Sequence, residues 1–390
     1  MTKIVNSWNE WDPLKRVVVG SAEGAGWPAL EPAAQNKNDL GAYRFGEYGP
    51  WPQDAVAEAM EQQDIFARQM EKRGVIVDRV VVHKSMKNGE AISTPDWSVP
   101  IQRNAANPRD LTLILGNEII EATGTMRCRF YEYLYMRPLF EKYYQEDPDC
   151  QWISAPRPRL TDAGYKPNYW WNMNNVWSVE EKTQHFNDMN WALNELEPLW
   201  DAADMIRAGK DVFLQPSSVN NALGRRWLRN YITSRGLRLH ECRFDSAAIG
   251  HYAPWHIDCS LVFPRPGLAI YLWNKPITSE KVLELFRKND WELIPCAPLE
   301  YVWKDQRTSF MEWGMPSNAT STAGMNVISI DPKTICADAN EPGYAEQLNK
   351  LGIEVVPVQY EKVWRFGGLL HCNTLDIYRE GGCEDYFPNQ

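Results

Sequence analysis

The chain has 390 residues, of which 41 are Lys or Arg and 51 are Asp or Glu, giving a formal net charge of −10. An acidic chain without a basic run argues against a nucleic-acid or an anionic-membrane partner. No stretch approaches the roughly 20 apolar residues of a membrane span. The eight cysteines form no CxxC pair and no metal-ligand spacing with histidine, so we expect neither a metal nor another cofactor.

The N-terminal segment, MTKIVNSWNEWDPLKRVVVG, lacks a secretory apolar region and enters a strand by about Lys15. Because the cysteines read as free thiols, we expect a cytoplasmic protein. Length alone would allow two or three domains. No linker divides the chain, however, and we therefore expect a single domain over residues 1–390.

Predicted helices and strands alternate along the chain. Residues 54–74 predict an amphipathic helix that ends in glycine and runs into the strand VIVDRVVV. Residues 112–122, TLILGNEIIEA, are two apolar runs joined by Gly116-Asn117, which predicts a two-residue hairpin. Residues 155–190 are rich in Pro, Asn, Trp and Tyr, and this composition predicts a long functional loop or lid.

The helix–turn–strand pattern of residues 54–82 recurs at 230–244, 285–296 and 348–359. We interpret the four units as an internal repeat. Their turn residues are Gly74, Gly236, Asn289 and Gly352.

Two reactive side chains lie at equal offsets in this repeat. His256 follows Gly236 by 20 residues, and Cys372 follows Gly352 by the same number. If the units are arranged around a common axis, equal offsets bring the two side chains to similar places on it.

His256 and Asp258 lie in WHIDCSLVF, residues 255–263, which predicts a short strand. Because side chains at i and i+2 of a strand share a face, the pair would supply a general acid/base and an anchor for a cation. The alternative is a satisfied structural histidine beside a surface carboxylate.

Asp201 and Asp204 lie in LWDAADMIRAGKDVFLQ, residues 199–215, which predicts a hairpin that turns at Ala208-Gly209-Lys210. A carboxylate among apolar neighbours costs desolvation energy unless it is paired. Either Asp201 orients His256, as in a catalytic triad, or these carboxylates cap the strand or pair with Arg207.

Asp110 and Cys372 complete the set of candidates. Asp110 enters a strand in NPRDLTLIL, where Pro-Arg-Asp is also ordinary turn chemistry. Cys372 lies in the strand-like segment GGLLHCNTLD, whose glycines indicate a bend or a close approach. A neighbouring cation would stabilise its thiolate and make it a nucleophile. In an extended segment His371 faces the opposite side, which makes it the poorer candidate.

The motifs PRD, GNEIIEA, FYEY, DAAD, HIDC, MNV and GGLLHC, in this order and at these spacings, resemble the amidinotransferase family. The similarity runs from residue 5 to residue 388. It implies an α/β propeller of five pseudo-symmetric ββαβ modules around a central axis, with a Trp/Tyr-rich loop inserted around residues 155–190. Family members are commonly homodimers.

The resemblance also implies a role for each candidate residue. Cys372 matches the nucleophile, His256 the general acid/base, and Asp201 the acid that orients this histidine. Asp110 and Asp258 match the carboxylates that hold a guanidinium group through paired, charge-assisted hydrogen bonds.

The substrate-binding segments depart from those of the glycine-type members. Lys275, in YLWNKPITSE, stands where those members carry the Arg of an Asn-Pro-Asp-Arg-Pro run; lysine keeps the charge but loses the bidentate fork. Trp255 replaces a Met before HID, and NATSTAGMNV, which contains Thr320, replaces a Ser-Ser-Lys-Trp run. We take Lys275, Trp255 and Thr320 as candidate substrate-binding residues and expect an acceptor other than glycine.

The implied activity moves the amidino group of L-arginine to Cys372 and then to a primary amine, with release of ornithine, on a natural-product pathway. Water must be excluded, and the aromatic segment 165–177 is the predicted shield. A guanidino hydrolase of the arginine deiminase kind is one alternative, which would form citrulline and ammonia. A non-catalytic binding protein on the same fold is another, although it would lack the nucleophile.

Overall fold

A computed structural model describes residues 3–28, 31–33, 48–82, 90–300 and 322–390. Thr320 therefore lies outside the described residues. The α-helices of this part of the chain are α1 (Gln53–Glu71), α2 (Pro108–Leu111), α3 (Arg137–Glu146), α4 (Tyr169–Asn175), α5 (Val179–Asn187), α6 (Ala222–Thr233), α7 (Glu280–Lys288), α8 (Pro342–Lys350) and α9 (Glu361–Trp364). None of these helices combines the length and the apolar character that crossing a membrane requires.

The strands fall into a longer and a shorter class. The longer strands are β1 (Leu14–Val19), β4 (Ile76–Arg79), β7 (Thr112–Leu115), β8 (Glu118–Glu121), β9 (Gln151–Ser154), β10 (Met205–Ala208), β11 (Asp211–Leu214), β12 (Arg238–Glu241), β13 (Leu261–Arg265), β14 (Leu268–Tyr271), β15 (Glu292–Pro295), β16 (Ile328–Asp331), β17 (Thr334–Asp338), β18 (Glu354–Val358) and β19 (Thr374–Arg379). The shorter strands pair in twos and are β2 (Gly26–Trp27), β3 (Gly49–Pro50), β5 (Ile92–Ser93) and β6 (Ser98–Val99).

The longer strands form five three-stranded sheets of one internal order. In each sheet the middle strand pairs antiparallel with one neighbour and parallel with the other. A parallel neighbour needs a crossover connection, and helices α1, α3, α6, α7 and α8 supply one in each sheet. The sheets are β7-β8-β9, β10-β11-β12, β13-β14-β15, β16-β17-β18 and β19-β1-β4. None of them closes on itself within the described residues.

The sheet β19-β1-β4 joins the two ends of the described chain. Its strands β19 and β1 pair antiparallel from Leu14 opposite Arg379 to Val19 opposite Thr374. This pairing brings the segment that follows Cys372 against the N-terminal segment.

The apolar cores lie between consecutive sheets. Leu113 of β7 shares a buried cluster with Val212 of β11, and Phe213 of β11 shares another with Phe263 of β13. Further clusters join β14 to β17, β16 to β1, and β1 to β7. Burial of these apolar side chains is the main term that holds the sheets together.

The predicted hairpins and repeat units are present. Strands β7 and β8 flank Gly116, which has φ +61°, and β10 and β11 flank Gly209, which has φ +67°. Gly74, Gly236 and Gly352 end their helices with positive φ, as a chain reversal after a helix requires.

Two details of the repeat differ from the prediction. In the third unit the left-handed residue is Asp290, with φ 55°, rather than Asn289. A further unit, α3 followed by β9, escaped the sequence analysis because its turn contains no glycine: Asp147, which ends α3, accepts a hydrogen bond from the amide of Asp149 instead.

The predicted long loop at residues 155–190 is wrong, because much of this segment is helical. Helix α5 begins with a capping box in which Ser178 and Glu181 bond each other's backbone amide. Helix α4 buries Tyr169 and Trp170, which pack with Trp191 in a small aromatic cluster. The aromatic residues that suggested a lid therefore fold a helical pair.

Candidate active site

Five of the predicted site residues lie in turns or a short helix just before a strand. In each sheet this strand is the one that pairs antiparallel with the middle strand. A sixth residue, Asn326, occupies the same position before β16 and was not predicted. Asn326 is the middle residue of the motif MNV, and its place in the repeat could have identified it as a site residue. The positions are Asp110 before β7, Asp201 before β10, His256 and Asp258 before β13, Asn326 before β16 and Cys372 before β19.

Three predicted strand segments are turns instead. Residues Ala202–Asp204 and Ile257–Cys259 are single 3-10 turns, and β19 begins only at Thr374, after a turn. A strand would send successive side chains to opposite faces. The turns instead let neighbouring residues reach one place, and the prediction that His371 faces away from the site is wrong.

His256 contacts two carboxylates. Its Nε2 lies 3.3 Å from Asp201 Oδ2, and its Nδ1 lies 3.7 Å from Asp110 Oδ1. Burial disfavours the charged ring, but the charge of Asp110 and the hydrogen bond with Asp201 outweigh it and raise the pKa of His256 to about 10. The ring is therefore an imidazolium at neutral pH.

The neighbouring carboxylates differ in their partners. Burial raises the pKa of Asp201, and the hydrogen bond with His256 offsets part of this effect. Asp204 accepts hydrogen bonds from Ser217 and Asn220, and burial raises its pKa to about 7. Asp201 thus contacts the His256 ring directly, whereas Asp204 bonds Ser217 and Asn220.

Arg207 serves neither of these aspartates, which excludes the local ion pair considered from the sequence. Its guanidinium binds Glu10 through two hydrogen bonds of 2.9 and 3.0 Å and Asp376 through one of 2.7 Å. Arg207 therefore ties the N-terminal segment to β19.

Cys372 is held on both sides. Its thiol donates to Asp258 Oδ2 at 3.2 Å, and Asn326 Nδ2 lies 3.2 Å from its sulfur. The Cys372 amide also donates to Asn326 Oδ1 at 2.9 Å. The hydrogen bond with Cys259, burial and the charge of Asp258 hold the pKa of the Cys372 thiol well above its ordinary value. The free site therefore holds a thiol, and a bound cation would favour the thiolate.

The two glycines that precede the nucleophile have separate causes. Gly367 has φ +109°, a conformation that favours glycine. A Cβ on Gly368 would overlap the Cβ of Cys372 and lie 2.7 Å from its sulfur. The motif GGLLHC is therefore required both for the turn and for the space that Cys372 occupies.

Asp110 and Asp258 each have one carboxylate oxygen that accepts no hydrogen bond in the described part of the chain. Asp110 Oδ2 accepts a hydrogen bond of 2.6 Å from Arg129, and Asp258 Oδ2 accepts those of His371 and Cys372. The Oδ1 atom of each carboxylate is buried without a hydrogen-bond partner among the described residues. Buried acceptors are normally paired, so these oxygens are suited to a donor brought by a ligand.

His371 belongs to the site, contrary to the sequence-based prediction. Its Nδ1 lies 3.0 Å from Asp258 Oδ2, and its Nε2 lies 3.2 Å from Glu10 Oε2. Burial would raise the pKa of Asp258, but the hydrogen bond and charge of His371 outweigh it, and this pKa is lowered. Asp258 is therefore a carboxylate at any pH at which the protein would work.

Arg109 is a further residue of the site that the sequence did not predict. Its Nε donates to the carbonyl oxygens of His371 and Thr374, and its Nη2 binds Asp376 at 2.6 Å. Arg109, the neighbour of Asp110 in the sequence, thereby holds the turn that contains Cys372. More than 260 residues separate the partners, so no local pattern could reveal the contact.

Lys275 and Trp255 lie near the site. Lys275 is buried, its ammonium makes no ion pair within the described residues, and burial lowers its pKa, opposed by the nearby Cys259. Burial and the charge of Lys275 lower the pKa of His251 to about 4. The indole of Trp255 lies 5.7 Å from the His256 ring, measured between centroids.

His256 and Cys372 do not bond each other within the described residues; each instead contacts one of the two aspartates with an unused oxygen. A planar cation bound to both aspartates would lie between the His256 ring and the Cys372 thiol. This arrangement suits chemistry at the carbon of a guanidinium group.

Comparison with known proteins gives extensive similarities. The chain is 33 % identical to the mitochondrial glycine amidinotransferase of Xenopus laevis over 98 % of this chain and 85 % of that protein. The solved amidinotransferase SxtG of Microseira wollei, from the saxitoxin biosynthetic pathway, is 31 % identical with a TM-score of 0.82 over 98 % of this chain and 99 % of that one.

The inosamine-phosphate amidinotransferase StrB1 of Streptomyces griseus is 28 % identical, with a TM-score of 0.77 over 99 % of this chain and all of that one, 100 %. No family model matches the chain. The described chain therefore shares the propeller-like fold of these guanidino-modifying enzymes.

Proposed function

Because the chain belongs to the amidinotransferase family, we propose that it transfers the amidino group of L-arginine to a primary amine other than glycine, through an amidino-cysteine intermediate. The observation that carries this proposal is the pair of buried, unpartnered carboxylate oxygens on Asp110 and Asp258, one beside His256 and the other beside Cys372. A guanidinium group presents N–H donors in one plane and matches both oxygens.

In the first half-reaction the bound cation favours loss of the Cys372 proton, and the thiolate attacks the guanidinium carbon. His256 gives its proton to the departing nitrogen, the C–N bond breaks, and ornithine leaves. The Cys372 proton is released to solvent, and His256 is left as the neutral imidazole. Cys372 then carries a cationic amidino group that Asp110 and Asp258 continue to hold.

In the second half-reaction the acceptor amine attacks the amidino carbon. His256 takes the proton that the amine loses, the C–S bond breaks, and the new guanidino compound leaves. The Cys372 thiolate then regains a proton from solvent. The same residues act in both half-reactions. Because ornithine leaves before the acceptor amine reacts, the mechanism is ping-pong.

The substrate segments support an acceptor that differs from glycine. Lys275 supplies a buried ammonium without an ion-pair partner in the described chain, which suits an anionic group of a substrate. The bulky Trp255 lies beside His256, where the incoming amine must approach. We infer that these two residues select the acceptor, and that Thr320, outside the described residues, contributes to the same selection on a natural-product pathway.

The finer features of the assembly belong to this proposal as well. Five sheets of one order with cores between consecutive sheets support a propeller of five ββαβ modules in a single domain. All eight cysteines are free, which supports a reducing cytoplasm. Family resemblance supports a homodimer, which light scattering of the purified chain would test.

The proposal is tested by the intact mass of the enzyme after incubation with L-arginine and no acceptor. We expect the mass of one amidino group to be added, together with free ornithine. Cys372→Ala should abolish the adduct, whereas Cys242→Ala, which removes another buried thiol, should retain it. Citrulline in place of ornithine would indicate a hydrolase, and absence of both products would exclude arginine as the donor.

A further inference from the structure

A second thiol, that of Cys259, lies next to the nucleophile. The ligand atoms of Asp258, Cys259 and Cys372 all lie within 4.8 Å of one another. The amide nitrogen of Asn326 faces both sulfurs, at 3.7 Å from Cys259 and 3.2 Å from Cys372. The proposed amidino transfer has no step for Cys259.

The three side chains form a ligand set for a soft divalent cation. Thiolates and carboxylates both bind Zn²⁺, at about 2.3 Å and about 2.0–2.2 Å, so neighbouring ligand atoms of a tetrahedral site lie roughly 3.3–3.8 Å apart. The 3.2 Å between Asp258 Oδ2 and the Cys372 sulfur is close to this spacing. Rotation about the Cys259 side chain would complete three protein ligands.

Two further observations point to a ligand at this place. Asp258 is only 2 % exposed, yet its Oδ1 has no partner among the described residues. Cys259 is the most accessible of the three residues, since it is half-buried while Asp258 and Cys372 are buried. Cys259 is therefore the member of the set that is nearest to solvent.

We propose that Asp258, Cys259 and Cys372 bind a thiophilic divalent cation such as Zn²⁺, and that this ion reversibly blocks the active site. Binding replaces the two thiol protons, which are released to solvent, and forms two metal–sulfur bonds without any change in oxidation state. The ion then holds the Cys372 lone pair and the Asp258 carboxylate, so that neither is free for a guanidinium group. The binding part of this inference stands alone, whereas the inhibition rests on the proposed amidino transfer.

The binding part is tested on the full-length chain in a metal-free, phosphine-reduced buffer. Co²⁺ should give the intense near-ultraviolet absorption of cobalt–thiolate bonds, and Zn²⁺ should displace it with a stoichiometry of one. Removal of an outer partner of a metal ligand typically costs 10–100-fold in affinity. Loss of a direct ligand in Cys259→Ala or Cys372→Ala should therefore weaken binding by at least about 100-fold.

Cys383→Ala is the matched control, because Cys383 is the other half-buried cysteine of the chain and lies outside the set. It should bind Co²⁺ as the unaltered protein does. Unchanged thiolate absorption in Cys259→Ala would overturn the inference, as would an absence of that absorption in the unaltered protein.

The inhibition is measured as the rate of amidino-adduct formation with and without Zn²⁺. We expect Zn²⁺ to suppress the adduct, a chelator to restore it, and L-arginine to raise the Zn²⁺ concentration needed. Cys259→Ala, compared with its own metal-free rate, should lose this sensitivity. Cobalt–thiolate absorption without any adduct under metal-free conditions would support the metal site while rejecting the proposed transfer. Normal adduct formation without metal binding would do the reverse.

Discussion

His371 donates to the same oxygen of Asp258 that accepts the hydrogen bond of the nucleophile. The His371 Nδ1 to Asp258 Oδ2 distance is 3.0 Å, and the Cys372 sulfur lies 3.2 Å from that oxygen. The opposite side of the His371 ring contacts Glu10. Asp258 is thereby fixed with Oδ2 occupied and only Oδ1 available for a substrate.

Replacement of His371 should lower the stability of the fold and weaken binding of the proposed donor, arginine. In His371→Leu, Asp258 and Glu10 each lose a buried hydrogen bond, and an unpaired buried acceptor costs about 1–3 kcal/mol. We expect unfolding in urea at lower concentration and a KM for arginine raised by roughly tenfold, about 1.4 kcal/mol of binding. An unchanged KM together with reduced stability would mean that His371 serves the fold alone.

Gly368→Ala should displace the nucleophile. The added methyl group would overlap the Cys372 side chain, and a misplacement of about 1 Å can cost about 100-fold in rate. The rate of adduct formation is the measurement. Gly164→Ala is the control, because a Cβ at Gly164 meets no atom within 4 Å. Equal rates for the two variants would refute the steric argument.

Asn326→Ala should slow the reaction without removing any charged group. The side chain bonds the Cys372 amide and faces its sulfur, so its loss leaves the nucleophile free to rotate. We expect kcat to fall by roughly 10–100-fold, somewhat less than loss of a hydrogen bond to a developing oxyanion. Asn326→Asp, which keeps the acceptor but not the N–H donor, should also be slow. Full activity of the aspartate variant would show that the N–H group facing sulfur is dispensable.

Asp204 predicts a specific dependence of stability on pH. Burial raises its folded-state pKa from 3.8 to about 7, so the native protein binds this proton more tightly than the unfolded chain does. The free energy of unfolding should therefore fall as pH rises from about 4 to about 7. Asp204→Asn, which retains an acceptor for Ser217 and Asn220, should lack this contribution. Urea unfolding of both proteins at pH 4.5 and pH 7.5 gives the difference, and parallel pH profiles would contradict the assignment.

Lys275→Met tests the proposed substrate charge. Methionine fills a similar volume without the ammonium, so the substrate whose anionic group meets Lys275 should show a KM raised by roughly 10–100-fold, about 1.4–2.7 kcal/mol. The KM for the other substrate and the kcat should change little. Initial rates with donor and acceptor varied separately distinguish the two. If neither KM changes, Lys275 has no part in binding.

The sequence predicts which residues form the site, because they recur at one position of the repeat. It does not predict the local conformation of the turns that carry them. The equal offsets of His256 and Cys372 reflect a real equivalence, since both precede the first strand of a sheet. The same regularity extends to Asp110, Asp201 and Asn326, and it could have identified Asn326. The resemblance to a known family supplied the roles.

The conformation of these turns could not be read from local pattern. Apolar residues around Cys372 favour a strand, but tertiary contacts decide the outcome. His371 contacts Arg109 and Glu10, which lie 262 and 361 residues away in the sequence, and only the folded chain brings the three together. Similarly, the aromatic residues near Trp170 suggested an open lid because composition cannot show that they pack on Trp191.

The sheet that joins β1 to β19 has a consequence for synthesis of the chain. Strand β1 leaves the ribosome before its partner β19, which follows it by more than 350 residues. Pairing across such a separation carries a large loop-closure entropy and tends to be slow. The nascent chain can assemble its middle sheets first, but Asp258 meets the Cys372 thiol only after Cys372 and β19 have been made. On the proposed function, a product terminated before Cys372 should form no amidino adduct with arginine, however well its middle sheets had folded.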